Sequence, residues 1–474
     1  MLFNSLEFLI FAAIFFAGWP LARRGRATRW SYLVVASFFF YGWWDYRFLP
    51  LLVGNGLVDF LAARWMVRFP RHKKGLLVAS LSTNLAALVA FKYGAFLAEN
   101  LDRVLALSGS SYRLAAHLPP ALSVLPIGIS FYTFMSMSYT IDVYRGRVQP
   151  TPSVLHYFAY LSLFPHLVAG PIMRAEQLLP QLHEGRATSE QERWDGLILI
   201  VGGYAKKVIV ADTLAPFVNR AFESAVPNDG WLYWWVVITM FAVQIYCDFS
   251  GYTDIARGLA RWMGYEFSRN FDHPYAAQSL RDFWGRWHIS LSTWFRDYLY
   301  VPLGGNRGSR WARLRSLWLT MLLSGLWHGA AWTFVCWGAL HATGLTLERA
   351  TRWPERAGRH RYGSLLAVAL VLGQVWVGWV LFRSTSIVQA GAILKTMFGF
   401  GRAGLDDLLL DHDYAPLLVL LVAILAELGF AIGRARRWTL GPRQRALLPA
   451  LVAMAIVACV LLRGPGNEFI YFQF

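Results

Sequence analysis

Charge is scarce in this chain of 474 residues: 15% are charged, against about 25% in a typical soluble domain. Cysteine is scarcer still, with Cys247, Cys336 and Cys459 lying in or beside apolar runs and never in CxxC spacing. That excludes both a disulfide framework and a zinc site built on paired cysteines. Several catalytic signatures are missing as well. There is no GxSxG elbow for a serine hydrolase, no GxxxxGK[ST] loop for nucleotide phosphates and no HExxH for zinc. None of the eleven histidines has Asp five positions later, which removes the histidine-aspartate pattern of glycerolipid acyltransferases.

What fills the chain instead is apolar and aromatic: 56% hydrophobic residues, with 22 Trp and 33 Phe. Long apolar stretches recur at 5–22, 31–44, 75–98, 119–143, 231–250, 364–382, 415–433 and 446–462. Many approach the roughly 20 residues that span hydrocarbon. The first has neither a basic leader nor a small-residue cleavage site, so it reads as a retained helix. The expected fold class is an all-α polytopic membrane protein of eleven or twelve membrane segments, forming one integral domain over 1–474. No internal repeat, low-complexity tract or soluble domain interrupts it.

The formal charge of +17 invites a nucleic-acid reading, but its distribution argues against one. Basic residues gather in the gaps between apolar segments: Arg23, Arg24, Arg26 and Arg29; Arg68, Arg71, Lys73 and Lys74; Arg352, Arg356, Arg359 and Arg361; Arg434, Arg436, Arg437, Arg443 and Arg445. The positive-inside rule produces this pattern, because Lys and Arg accumulate in short cytoplasmic loops. Placing 23–29 in the cytoplasm puts the N-terminus outside. The Arg-rich region 257–315 then falls on the cytoplasmic face, and the acidic gap 405–413 on the other. Between Arg315 and Arg349 lie two apolar segments, near 316–327 and 331–347, that leave the cytoplasm and return to it. Their turn falls at His328-Gly329. The first segment is shorter than a full span, so the turn lies at membrane depth, where irregular backbone survives only if buried in protein or lining a cavity.

Within the cytoplasmic region, QSLRDFWGRWHISLSTWFRDYLY (278–300) places Leu280, Trp284, Trp287, Leu291, Trp294 and Tyr298 at helical spacing. The pattern predicts one interfacial helix with its Trp residues at headgroup level. His288 would then sit on the flank of the apolar face beside Arg281 and Ser292, as a solvated histidine.

Three features carry candidate chemistry. His328, in LLSGLWHGAAWTF, is an ionisable ring in an apolar segment, a costly placement that is functional by default. On the residue alone, a neutral core histidine bonded to a carbonyl and a catalytic base both stay open. Gly325 and Gly329 permit close backbone approach, and Trp327 and Trp332 supply cavity walls, which favours the base. Asp248 and Asp254, in QIYCDFSGYTDIARG, follow an apolar segment. They read either as caps and ion-pair partners of Arg257 and Arg261, or as groups that orient a histidine or receive a proton; Gly251 between them is a possible helix break.

Six blocks together resemble the membrane-bound O-acyltransferase family, in its bacterial alginate O-acetylation branch. They are LPIGISFYTF (125–134), FPHLVAGPIMR (164–174), YCDFSGYTDIA (246–256), RDFWGRWHISLSTWFRDYLYVPLGG (281–305), LSGLWHGAAWTFVCWG (323–338) and the ending FIYFQF. The core motifs occupy 125–347. The resemblance implies a helical funnel or tunnel through the bilayer, with the acyl donor entering from the cytoplasm. It implies that His328 is the catalytic histidine and His288 its companion; the residue reading adds Asp248, Asp254 and Trp327 in support. The donor implied is acetyl-CoA, used as a substrate; no bound cofactor or metal is expected. Implied partners are membrane lipid and a separate periplasmic acetyltransferase of the SGNH type that completes transfer to a polysaccharide hydroxyl, with no nucleic acid. Acylation of another envelope polymer, such as cellulose or D-alanylated teichoic acid, is the alternative within the family. Outside it, a transporter or channel would use the same intramembrane histidine for protons, and an export scaffold would not need it.

Overall fold

A computed structural model of the protein describes residues 1–122, 124–224, 228–404, 414–436, 441–462 and 469–470. Every regular element among them is helical. The acidic gap 405–413 and the last four residues of FIYFQF lie outside the described residues. Two compact units are present: Met1–Leu197 with Ala256–Ser268, and Ile198–Ile255 with Arg269–Phe474. Among the described residues five helical stretches are long and apolar enough to cross a membrane: Arg26–Arg68, Pro70–Leu107, Trp231–Met263, Gly363–Arg383 and Ala415–Arg434. Three shorter apolar helices, Leu6–Ala22, Ile387–Gly399 and Ala446–Leu461, accompany them. The protein is a multi-pass membrane protein built of helices.

The first unit opens with α1 (Leu6–Ala22), α2 (Arg26–Asp45), α3 (Leu49–Arg68), α4 (Lys73–Leu88) and α5 (Gly94–Leu107). It continues through α6 (Ile129–Tyr144), α7 (Val154–Leu161), α8 (Phe164–Leu167), α9 (Ala175–Glu184) and the start of α10 (Glu190–Tyr204). Ser5 caps α1 by accepting from the Phe8 amide at 3.1 Å. From there Phe8, Phe11, Phe15 and Trp19, spaced three and four apart, form one buried face. The Phe164 ring of α8 receives three of them, with centroids 5.1 to 6.4 Å away. The apolar stretch 119–143 forms a 16-residue helix, α6, rather than a full-length span. It starts at Gly128, where φ is +74° and a Cβ would sit 2.7 Å from the Leu167 carbonyl oxygen, so both conformation and space require glycine.

Polar side chains inside this unit are satisfied by one another. Asp59 of α3 is buried and accepts from Ser80 at 2.5 Å, from Asn84 at 2.7 Å and from Ser136, tying α3 to α4 and α6. Arg29 was expected in a basic loop, but it is buried in the first turns of α2. Its guanidinium donates to the carbonyls of Leu182 and His183 at 2.9 and 2.8 Å, capping the end of α9. Gly185 follows with φ +62°, and any Cβ there would collide with that guanidinium.

The second unit holds the end of α10, α11 (Asp212–Glu223) and most of α12 (Trp231–Met263). At 33 residues α12 is unbroken through Gly251, so the expected break there is absent. Glycine serves packing instead: a Cβ on Gly251 would meet the Gly203 carbonyl oxygen at 2.7 Å. Then come α13 (Leu280–Arg286), α14 (Ile289–Phe295), α15 (Arg310–His328), α16 (Trp332–Thr351) and α17 (Trp353–Ala357). The unit closes with α18 (Gly363–Arg383), α19 (Ile387–Gly399), α20 (Ala415–Ala435) and α21 (Pro442–Leu461).

The helical hairpin expected at 316–347 is present as α15 and α16, with its turn at Gly329–Ala331. Ser309 caps α15 by accepting from the Ala312 amide at 3.2 Å. The two helices touch backbone to backbone through small residues. A Cβ on Gly325 would run into the Phe334 carbonyl, and one on Gly338 would lie 2.5 Å from the Met321 carbonyl oxygen.

The single interfacial helix expected over 278–300 does not form. α13 ends at Arg286, and His288 adopts the left-handed conformation with φ +41° before α14 begins. The apolar spacing was read as one exposed stripe, but the break lets the Trp residues turn inward: Trp287 and Trp294 are buried. The expected solvated His288 is likewise corrected, since its ring is fully buried.

Candidate active site

His328 ends α15, and its ring lies edge-on to Trp327, Trp337 and Phe382 at 5.0, 5.1 and 5.2 Å between centroids. The sharp exit at Gly329 is what places it there. A Cβ on Gly329 would collide with the Phe334 ring, and Phe334 packs on Phe382 at 5.0 Å. His288 reaches the same cluster from the other side. Its ring is 5.9 Å from Trp327 and 4.6 Å, edge-on, from Phe249 of α12. Trp327 is thus the common neighbour of both imidazoles, and the sequence-expected trio His328, His288 and Trp327 is brought together.

The backbone strain at His288 is held by a residue that sequence reasoning missed. Asn270 is buried, and its carbonyl oxygen accepts from the Ser290 amide at 3.1 Å and the Ser290 hydroxyl at 2.7 Å. The amide can only donate, so that Asn atom is oxygen, and the Nδ1 of His288 at 3.3 Å must be the protonated nitrogen. The Nε2 atom keeps its lone pair. The Asn270 backbone carbonyl also accepts from the Ile289 amide at 2.9 Å. His288 lies outside the helices able to span a membrane, and burial pushes its pKa down to about 3, so it is neutral at physiological pH.

A third buried histidine, His341, sits one turn beyond Trp337 on α16. Its ring is 4.6 Å from Trp337 and 5.1 Å from Trp284. Its only sequence signal was another ring in an apolar helix, four residues after a Trp.

Asp248 and Asp254 belong to a different arrangement. Asp248 pairs with Lys207 at 2.7 Å and accepts from the Ile470 amide at 2.7 Å; Lys207 also pairs with Asp212 at 2.9 Å. Asp254 pairs with Lys206 at 2.8 Å. Both aspartates thus have a lysine partner just beyond α10. Asp248 touches the histidine cluster at one remove: Phe469, beside Ile470, packs on Phe249 at 5.5 Å, and Phe249 packs on His288.

The arrangement gathers buried imidazoles in an apolar, aromatic enclosure, which suits proton abstraction from a hydroxyl or thiol and excludes competing water. Comparison with known proteins bears on which reaction this is. The family described as MBOAT, membrane-bound O-acyltransferase, matches residues 130–354, the interval that holds Asn270, His288, Trp327, His328 and His341. The chain is 39% identical over 413 residues to the probable alginate O-acetylase AlgI of Pseudomonas aeruginosa, covering 86% of this chain and 77% of that one. The chain belongs to the membrane-bound O-acyltransferase family. A second relative, the probable alginate O-acetylase AlgI of Azotobacter vinelandii, is 39% identical over 90% of this chain and 84% of its own. The peptidoglycan O-acetyltransferase of Helicobacter pylori is 33% identical over 80% of this chain and 75% of its own. The protein is accordingly an O-acyltransferase, and its two motif histidines are the pair that share Trp327.

Proposed function

We propose that this acyltransferase takes acetyl groups from cytoplasmic acetyl-CoA and delivers them across the bacterial inner membrane for O-acetylation of an alginate-like exopolysaccharide. His328 is the general base. It removes the proton from the attacking hydroxyl as that oxygen adds to the thioester carbonyl, and returns the proton to the departing CoA thiolate. His288, held by Asn270 with Nε2 unprotonated, is its companion across Trp327. The observation that carries the reading is the burial of both imidazoles against one indole within the family-matched interval.

The names of the two alginate O-acetylase relatives support the acceptor class, and the Arg-rich 257–315 region supports a cytoplasmic entry for an anionic donor. The N-terminus is then periplasmic, and a periplasmic SGNH-type acetyltransferase completes the transfer to polymer. The peptidoglycan O-acetyltransferase relative favours a second acceptor, a peptidoglycan glycan hydroxyl. Radiolabelled acetyl-CoA supplied to inverted vesicles tests the proposal. Label should move to polymer or to a co-expressed periplasmic acceptor protein, and His328→Ala should abolish it. Proton or solute flux without acyl transfer would overturn the reading in favour of a transporter; undiminished acetylation in His328→Ala would favour a scaffold.

A further inference from the structure

α16 and α18 approach closely at two glycines. At Gly344 a Cβ would collide with the side-chain amide of Gln374, which itself donates to the Leu340 carbonyl at 3.2 Å. At Gly378 the neighbours differ in kind: a Cβ would lie 3.3 Å from Nε2 of His341 and 3.4 Å from Nε1 of Trp337. Two ring nitrogens from successive turns of α16 therefore lie beside the same glycine of α18, where residue 378 has no side chain.

Both rings are essentially inaccessible to solvent, with relative exposures of 1%. Among the described residues the Trp337 N–H has no hydrogen-bond partner, and neither has Nδ1 of His341. An indole nitrogen is only ever a donor, and a buried donor left without an acceptor is costly. With Nδ1 of His341 unpartnered, the tautomer protonated on Nε2 is the one that can donate beside Gly378. Two N–H groups so aimed make a pocket for one acceptor oxygen. The pocket adjoins the base: Trp337 is 5.1 Å from the ring of His328, and Phe382, one turn beyond Gly378 on α18, is 5.2 Å from it.

We propose that Trp337 and His341 form an oxyanion pocket at Gly378 that binds the acyl carbonyl oxygen of the thioester. The inference rests on His328 being the base for acyl transfer. When the acceptor hydroxyl oxygen bonds to the carbonyl carbon, the C=O π pair moves onto the carbonyl oxygen, and the two N–H groups donate to the charge that develops there. Collapse re-forms the C=O bond and breaks the C–S bond, and the proton held on His328 passes to the thiolate sulfur. Atoms and charge balance with no further reactant.

The test uses the full-length protein in inverted membrane vesicles, with radiolabelled acetyl-CoA and kcat and KM read separately. Trp337→Phe keeps the ring and removes the donor, and His341→Phe does the same. Each should lower kcat by about a hundredfold, with KM for acetyl-CoA changed by less than about threefold. His341→Gln restores an N–H donor and should recover much of the loss, which a packing role would not give. Gly378→Ala puts a methyl group beside both ring nitrogens, where it crowds the proposed oxygen, and should lower kcat likewise; its contacts of 3.3 and 3.4 Å need only small shifts, so folding is retained. Wild-type kcat in Gly378→Ala and Trp337→Phe would overturn the pocket and leave only a packing role. Loss confined to KM would overturn it too. The two readings separate at His328→Ala: transfer that persists there defeats the base, whereas a dead His328→Ala beside wild-type pocket variants defeats the pocket alone.

Discussion

Asn270 and His288 are joined side chain to side chain at 3.3 Å, in a turn whose left-handed residue is His288 itself. One carbonyl oxygen thus sets the tautomer of the imidazole and closes the start of α14 through Ser290. Replacing Asn270 with Ala would remove its hydrogen bonds to the Ser290 amide, the Ser290 hydroxyl and His288 Nδ1, at about 0.5–1.5 kcal/mol net for each. Asn270→Ala should therefore lower the melting temperature of the detergent-solubilised protein by several degrees and cut acetyl transfer at least tenfold. Asn270→Asp keeps the acceptor and should lose less of both. Equal losses in the two variants would contradict the assigned role.

The neutrality of His288 has a consequence for acid stability. Its folded pKa of about 3 lies below the ordinary value of 6.5, so at pH between these the unfolded chain binds a proton that the folded chain does not. Stability is complete above about 6.5 and falls as pH drops towards 3. Thermal unfolding of the wild type between pH 7 and pH 4 should show this decline, and His288→Gln should show a shallower one. Other buried histidines contribute to both curves, so the difference between them is the quantity to read.

Lys207 lies between Asp212 and Asp248, and Asp248 also holds the Ile470 amide. Removing one partner of a buried ion pair costs on the order of 3–5 kcal/mol when the remaining charge has no other partner. Asp248→Ala leaves Lys207 with Asp212, so the expected cost falls at or below the low end, with loss of the anchor for residues 469–470. Limited proteolysis should cut the C-terminal segment faster in Asp248→Ala than in the wild type. An unchanged cleavage rate, with abolished acyl transfer in the folded variant, would instead make Asp248 a chemical participant.

The α15–α16 hairpin depends on two glycines at its contact. Gly338→Val should destabilise the protein sharply, because even a Cβ would lie 2.5 Å from the Met321 carbonyl oxygen and backbone cannot yield as a side chain can. Gly373→Ala, on α18 with nothing within 4 Å of its Cβ position, is the matched control and should be close to neutral. Size-exclusion recovery after heating in detergent distinguishes the two.

Much of this architecture was legible in the chain. The basic residues at 307–315 and 349–361 bracketed a hairpin, and the structure turns at Gly329–Ala331, beside the expected His328. Trp327 was named as a support and proves to be the shared wall between two histidines. What stayed hidden was tertiary. Apolar spacing at 278–300 reads the same for one exposed stripe as for two short helices whose rings turn inward, because periodicity records spacing and not a break at one left-handed residue. Asn270 carries no signal in a polar loop until Ser290 and His288 fold against it. His341 reads as one more ring in an aromatic helix until Gly378 is placed opposite. Arg29 looked like a topology marker because its acceptors, the carbonyls of Leu182 and His183, lie over 150 residues away.

The buried imidazole of His328 is proposed as the base for acyl transfer. Single-turnover transfer from radiolabelled acetyl-CoA, measured in inverted vesicles holding wild type, His328→Gln or His288→Gln at matched folded content, tests it most directly. A fall of at least a thousandfold in His328→Gln and a smaller one in His288→Gln, with acetyl-CoA still bound in both, is the expected result. A His328→Gln protein that transfers acetyl groups at the wild-type rate would contradict it.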